Sequence, residues 1–167
     1  PTERSLGLGM PLPGGHTRAL VKVQEGCDNA CTYCIVSTAR GPSRSRPPEE
    51  VIEEVKLRLG EGYREVVLTG VNLGAYGQDA GASAVLPAQA GWSLVRLVRV
   101  LLDLPGDWRL RLSSIEPWDV TPELIGLWPH PRLCRHLHLP LQSGSDAILR
   151  QMGRGYTIVE YFDRIST

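Results

Sequence analysis

Cys27, Cys31 and Cys34 stand in a C-x3-C-x2-C pattern within Gly26-Cys27-Asp28-Asn29-Ala30-Cys31-Thr32-Tyr33-Cys34, directly after a short apolar run. Three thiolates within eight residues converge on one small object only if the chain curls around it. A cubane iron-sulfur cluster is such an object, because its iron corners lie close together and each accepts one thiolate. Electron-transfer clusters are normally held by four cysteines, so three with no nearby fourth leave one iron free for a substrate or cofactor. Gly26 suits the sharp exit from a strand, since glycine accepts a positive φ without a Cβ clash.

Other readings of the thiols stand beside this one. A structural zinc site closes with four ligands and favours paired C-x2-C knuckles or spaced histidines; His16 is the one nearby residue that could complete it. Disulfides belong to secreted chains, and neither the low cysteine count nor any leading signal segment points that way. Cys134 lies a hundred residues from the cluster of thiols, just before an apolar run, and reads as a small buried hydrophobe.

With 167 residues, 42% of them hydrophobic, the chain can bury one domain core. Its 18 basic and 18 acidic residues cancel, so net charge gives no case for a nucleic-acid surface. No apolar run reaches membrane-spanning length, and the expected setting is the reducing cytoplasm, with no membrane partner.

Residues 1–15 are rich in Gly and Pro without periodicity and read as a linker. From there strand and helix patterns alternate. Residues 19–23 form a first strand, and a loop over 35–48 carries Arg40, Arg44 and Arg46, candidates for a carboxylate or RNA phosphate. Pro48, Glu49 and Glu50 open a helix with an apolar stripe at Val51, Ile52, Val55 and Leu59. A second strand over 65–69 is followed by a long loop over 74–91, then a helix capped by Ser93. A third strand over 109–113 leads to a helix opened by Thr121-Pro122-Glu123, and a fourth over 136–139 to one opened by Ser145-Asp146. The alternation predicts an α/β fold, a partial TIM-like (β/α) barrel of about four βα units. In such barrels the chemistry sits on loops at the carboxyl ends of the strands. The cysteine loop, Thr69-Gly70-Val71-Asn72, Ser113-Ser114-Ile115-Glu116 and Leu141-Gln142-Ser143-Gly144 all fall there. Asn72, Ser114 and Gln142 offer donors and acceptors for a nucleoside or amino-acid group, and Gly70 lets a ligand approach the backbone. His136 and His138 share one face of the fourth strand; a hydrogen-bonded core histidine is the expectation, with a reach of His138 into the pocket as the alternative.

The cysteine loop after a first strand resembles the radical S-adenosylmethionine (SAM) superfamily. Lys22-Val23-Gln24-Glu25-Gly26-Cys27, Ala39-Arg40-Gly41, Arg44-Ser45-Arg46-Pro47, Glu65 through Gly74 and His138-Leu139-Pro140-Leu141-Gln142-Ser143-Gly144 are similar to the methylthiotransferases within it. Arg111 through Pro117 and Leu133 through His138 resemble the type acting on threonylcarbamoyladenosine in tRNA. Residues 16–167 correspond to the radical SAM core.

The resemblance implies a 4Fe-4S cluster on Cys27, Cys31 and Cys34 and SAM on its open iron. Gly70 and Asn72 stand where the superfamily meets SAM's amino group, and Gln142 where a fourth-strand loop meets its nucleoside. Tyr33 corresponds to an aromatic residue against the adenine, with a packing role as the plainer alternative, and Arg154 to an arginine near the cofactor, or else a solvated helix-end residue. One electron passed into SAM would release a 5′-deoxyadenosyl radical, the protein supplying binding, orientation and water exclusion. A reducing partner such as flavodoxin or ferredoxin is implied, with tRNA as substrate. Another methylthiotransferase substrate, isopentenyladenosine in tRNA or a ribosomal protein, is the alternative within enzymes. An iron-sulfur electron carrier closed by Cys134 and a zinc-stabilised binding module are alternatives of other classes.

The family pattern also includes an amino-terminal domain with a second 4Fe-4S cluster and a carboxyl-terminal RNA-binding module, neither found in this sequence. The expectation is a core incomplete at its carboxyl end, breaking off within a helix opened by Thr157. Ala30, where the family more often has arginine, and Ser37, where proline is usual, leave the cysteines intact.

Overall fold

The computed structural model describes residues 17–79 and 91–166; the expected linker 1–15, His16 and most of the loop 74–91 lie outside them. Four strands form one mixed sheet: β1 (Arg18–Glu25), β2 (Arg44–Ser45), β3 (Glu65–Gly70) and β4 (Arg109–Leu112), in the order β2-β1-β3-β4. β1 and β4 flank β3 in parallel, with Arg18 opposite Glu65 and Glu65 opposite Arg109. All three therefore begin at one edge and release their loops at the other. β2 runs antiparallel to the end of β1, pairing Gln24 with Ser45 and Glu25 with Arg44. It arises inside the expected 35–48 loop, which also contains the short helix α1 (Val36–Arg40).

Helices cover one face of the sheet. Along β1, Ala19, Val21 and Val23 are buried while Arg18 and Leu20 are exposed, the period-two alternation of a strand with one covered face. Over that face lies α2 (Pro48–Gly60), which begins at Pro48 and buries Val51 and Val55, as its stripe predicts. α3 (Leu94–Leu102) adds Leu94, Leu97, Val98 and Leu101, and its Ser93 cap accepts from the Arg96 N–H at 3.2 Å. Together with Leu68, Leu110, Leu112 and Ile115 these side chains form one continuous core. Burial of each such aliphatic side chain is worth about 1.5–3 kcal/mol, the term that holds helices to sheet.

Three further helices follow: α4 (Pro122–Ile125), α5 (Asp146–Gln151) and α6 (Ile158–Ile165). Thr121 caps α4, accepting from Leu124 N–H at 3.2 Å, and Thr157 with Glu160 forms a capping box at α6.

The expected fourth strand over 136–139 is not a strand. The segment touches β4 through two isolated parallel bridges, Leu110 with Leu133 and Ser114 with His138. Between them the chain arches, its His136 N–H turning back to the Cys134 carbonyl at 2.7 Å, so the ladder is never propagated. Pro140 follows and has no N–H to donate. The arch still delivers the Leu141-Gln142-Ser143-Gly144 loop to the same edge as the others, which preserves the half-barrel plan.

At the opposite edge Glu65, nearly fully buried, receives three arginines: Arg111 Nε at 2.6 Å, Arg18 Nε at 2.9 Å and Arg109 Nη2 at 3.2 Å. Burial raises its carboxyl, but the Arg111 hydrogen bond and the three positive charges outweigh it and hold the group below its ordinary 4.5. A depressed folded-state value contributes stability that is fully present above 4.5 and is lost as pH falls through the lower folded value. Glu65→Gln is expected to cost about 2 kcal/mol at neutral pH and to flatten the acid limb of a thermal-denaturation series.

Candidate functional site

The carboxyl edge of the sheet gathers the cysteine loop, the turn after β3, the turn after β4 and the 141–144 loop. The cysteine loop starts at Gly26, whose φ of +71° turns the chain out of β1 as the sequence implies. The turn packs so closely that a Cβ there would lie 1.9 Å from the Pro42 carbonyl oxygen. Cys27 N–H donates to the Gly41 carbonyl at 3.2 Å, and Ser43 N–H to Asp28 Oδ1 at 3.1 Å, tying the loop to the segment before β2. Its far end is held by α5: Thr32 N–H donates to the Met152 carbonyl at 3.1 Å and Thr32 Oγ1 to the Gln151 carbonyl at 2.8 Å.

Cys27 and Cys31 are half-buried and Cys34 is exposed, all three as free thiols. Burial pushes the Cys27 thiol up, while the Asn29 N–H at 3.4 Å from its sulfur pulls the other way. Among the described residues no three His, Cys, Asp or Glu side chains are gathered into a closed metal-binding group. One loop thus carries the thiols side by side without drawing them together. Soft thiolate donors suit iron-sulfur chemistry, and three of them are what a cluster with one open iron requires. Cys134 is buried, as expected of a small hydrophobe. Its N–H donates to the Leu110 carbonyl near the start of β4, at the sheet edge away from the cysteine loop, so it cannot close the coordination.

A residue that sequence reading passed over joins two of the loops. Gln24 is 0% exposed. Its Nε2 donates to the Gly26 carbonyl at 2.8 Å, the Glu25 carbonyl at 3.0 Å and Ser43 Oγ at 2.9 Å, while its Oε1 accepts from Asn72 N–H at 2.8 Å. Gly70 lies close beneath this side chain: a Cβ there would sit 3.1 Å from Gln24 Cβ and Oε1, a tight contact. A polar residue at the end of an apolar strand, directly before Gly-Cys, was the available signal. Gln24→Leu strands the Asn72 N–H and two carbonyls in a dry place, and is expected to cost about 2–3 kcal/mol, read as a fall in Tm.

The remaining candidates are placed unevenly. Asn72 is buried, and its Oδ1 has no hydrogen-bond partner, an acceptor fit for a donor such as an amino group. Ser114 is exposed, its hydroxyl 2.7 Å from His138 Nδ1; His138 is exposed at the same carboxyl edge and is not the core histidine expected. Gln142 is exposed with φ +67°, and Ser143 N–H donates to the Leu141 carbonyl across it at 2.8 Å, the uncommon and strained γ-turn. Tyr156 steadies that turn by donating to the Leu141 and Pro140 carbonyls at 2.7 and 3.1 Å. Tyr33 is 52% exposed beside the cysteines. Of the loop arginines, Arg40 pairs with Glu25 at 2.8 Å and Arg46 with Glu54 at 2.5 Å. Arg44 is exposed and donates to the Arg40 carbonyl at 3.2 Å.

Arg154 is 6% exposed, which rules out a solvated helix-end residue. Its Nη1 donates to Cys31 Sγ at 3.3 Å and to Glu116 Oε1 at 3.2 Å, and its Nη2 to Glu116 Oε2 at 2.5 Å. The guanidinium also stands 5.2 Å from the Trp118 ring centre and 5.6 Å from that of Tyr156. Asp119, likewise unanticipated, packs against Gly74, and burial together with Glu116 pushes its carboxyl up to about 6.

The profile of the Radical SAM superfamily matches residues 21–167. Curated relatives include a threonylcarbamoyladenosine tRNA methylthiotransferase, MtaB, of Thermotoga maritima, 47% identical over 148 residues, covering 87% of this chain and 32% of the relative. A tRNA-2-methylthio-N(6)-dimethylallyladenosine synthase of Geobacter sulfurreducens is 42% identical over 153 residues, 91% of this chain and 32% of the relative. The MtaB of Bacillus subtilis is 40% identical over 161 residues, 95% of this chain and 34% of the relative. The chain thus spans about a third of the length of these relatives. Among solved structures, the radical SAM methyltransferase TsrM of Kitasatospora setae superposes with a TM-score of 0.63 at 16% identity, over 89% of this chain and 28% of that one. The cobalamin-dependent radical SAM enzyme OxsB gives 0.62 at 16% identity, over 87% of this chain and 21% of that one.

Proposed function

Because the chain belongs to the Radical SAM superfamily, whose cofactors are a 4Fe-4S cluster and SAM, we propose that it forms the SAM-cleaving core of a tRNA methylthiotransferase. Cys27, Cys31 and Cys34 hold the cluster in this reading. The observation that carries it is the meeting of three free thiols on one loop with the unpartnered, buried Asn72 Oδ1 on the next, joined through Gln24. When bound, the cluster and SAM supply one-electron cleavage of a carbon–sulfur bond. The chain's own work is placement. Asn72 Oδ1 accepts from SAM's amino group, Gly70 keeps the backbone low beside it, Ser114 and Gln142 meet polar groups of the nucleoside, and Tyr33 lies against the adenine. Trp118 and Tyr156 flank Arg154, which reaches the cysteine loop at Cys31. No side chain is required as a general base for the cleavage itself.

The relative at 47% identity supports threonylcarbamoyladenosine beside the anticodon as the target, and the one at 42% makes dimethylallyladenosine the second reading. The electron would come from a small one-electron carrier of the flavodoxin or ferredoxin class, in the cytoplasm with the tRNA. Among the described residues no helix is long and apolar enough to cross a membrane.

The test is anaerobic reconstitution of the chain with iron and sulfide, reduction by dithionite, and assay of 5′-deoxyadenosine from SAM with tRNA carrying either nucleoside. Formation of 5′-deoxyadenosine supports the core, and faster formation with threonylcarbamoyladenosine tRNA assigns the substrate. The reverse preference assigns the second reading. An iron-loaded chain that releases none from SAM overturns the proposal.

A further inference from the structure

α5 and the residue pair after it are built against the cysteine loop more firmly than a passing contact requires. Gly153, at φ +70°, lies so close that a Cβ there would come within 2.7 Å of the Ala30 carbonyl oxygen. That approach carries Arg154 down to the sulfur of Cys31, 123 positions earlier in the chain. Its backbone is fixed as well, Arg154 N–H donating to the Leu149 carbonyl at 2.9 Å. Glu116 grips the guanidinium with both oxygens from the side of β4, and Trp118 and Tyr156 flank it. Such a fork, pre-oriented and shielded from water, holds one N–H on a thiolate at a fixed charge. Burial works against that charge, but the hydrogen bonds it donates to Cys31 and Glu116 and the Glu116 charge hold Arg154 protonated more firmly than usual.

We infer that the Arg154–Glu116 pair is a positioning device that sets the reduction potential of the cluster through Cys31, with Arg154 raising it and Glu116 limiting the rise. The inference rests on the cluster assignment proposed above. Its physical basis is that the reduced cluster carries one more negative charge than the oxidised one. A hydrogen bond and a positive charge at a ligand sulfur therefore favour the reduced form. The carboxylate behind the guanidinium acts in the opposite sense from farther away. Arg154 touches the sulfur of Cys31, so its effect on the cluster runs through that sulfur.

Opposite signs distinguish this role from simple bracing of the loop. The experiment is spectroelectrochemical titration of the anaerobically reconstituted chain, following the loss of visible absorbance and the appearance of the reduced-state paramagnetic signal, with iron counted in every sample. Arg154→Met should disfavour reduction about tenfold, a negative shift of about 59 mV for one electron. Glu116→Gln, which keeps the shape and an acceptor for the guanidinium, should shift the potential positively. Should Arg154→Met fail to fold, the positive shift in Glu116→Gln still carries the inference. Unchanged potentials, or shifts of the same sign in both variants at equal iron content, overturn it. Failure of the unaltered chain to bind iron would instead overturn the cluster assignment on which it rests.

Discussion

Alanine at Cys27, Cys31 or Cys34 is expected to abolish cluster incorporation and 5′-deoxyadenosine formation together, each single change being enough. With three protein ligands for four irons, losing one leaves two thiolates to hold a cluster that water and chelators compete for. Second-ligand effects of 10–100-fold are typical even for residues that merely orient a ligand, so removing a ligand lies beyond about 100-fold. Cys134→Ala is the internal control: its thiol lies at the other edge of the sheet, and iron content and visible spectrum should not move. Iron analysis and absorbance read both arms. A full cluster in any of the three variants would remove that cysteine from the ligand set, and loss of iron in Cys134→Ala would return the electron-carrier reading.

Gly26→Ala should damage the same loop without touching a sulfur. The φ of +71° costs an L-residue roughly 1 kcal/mol. The larger effect is steric: the new methyl would sit 1.9 Å from the Pro42 carbonyl oxygen and 2.7 Å from that of Gly41. Both obstacles are backbone, so no rotamer change relieves them. The strand exit must move, breaking the Cys27 N–H bond to Gly41 and displacing the first thiol from its neighbours. A loss of about 3 kcal/mol or more is expected, in the range of severe overpacking. Thermal denaturation and iron content should fall in parallel. A Gly26→Ala chain with unaltered Tm and full iron would mean that the turn is softer than this contact implies.

How far the sequence foretells these features depends on whether their cause is local. The cysteine spacing, the Gly26 exit, the Pro48 start and the Ser93, Thr121 and Thr157 caps each follow from residues within a few positions of one another, and each is found where expected. Gln24 was opaque because its partners, Ser43 and Asn72, lie 19 and 48 positions away. The same holds for Arg154, buried and paired with Glu116, 38 positions earlier. The fourth strand misled for a different reason. An apolar alternation reports a tendency to extend, but a strand needs a continuous partner, and the chain arches away from β4 between Leu133 and His138. β2 is the converse: at two residues it is too short for any periodicity, and pairing with β1 alone makes it a strand.

The knot of Glu65 with three arginines sits where the strands begin, and the thiols sit where they end. Along β1 the separation is eight residues, about 25 Å of extended chain. For anyone redesigning this scaffold the two ends are separately adjustable. Charge swaps or tethers at the arginine knot can be chosen for tolerance to acid and heat, and libraries of loop variants at the far edge can then be screened for new chemistry on the hardened frame.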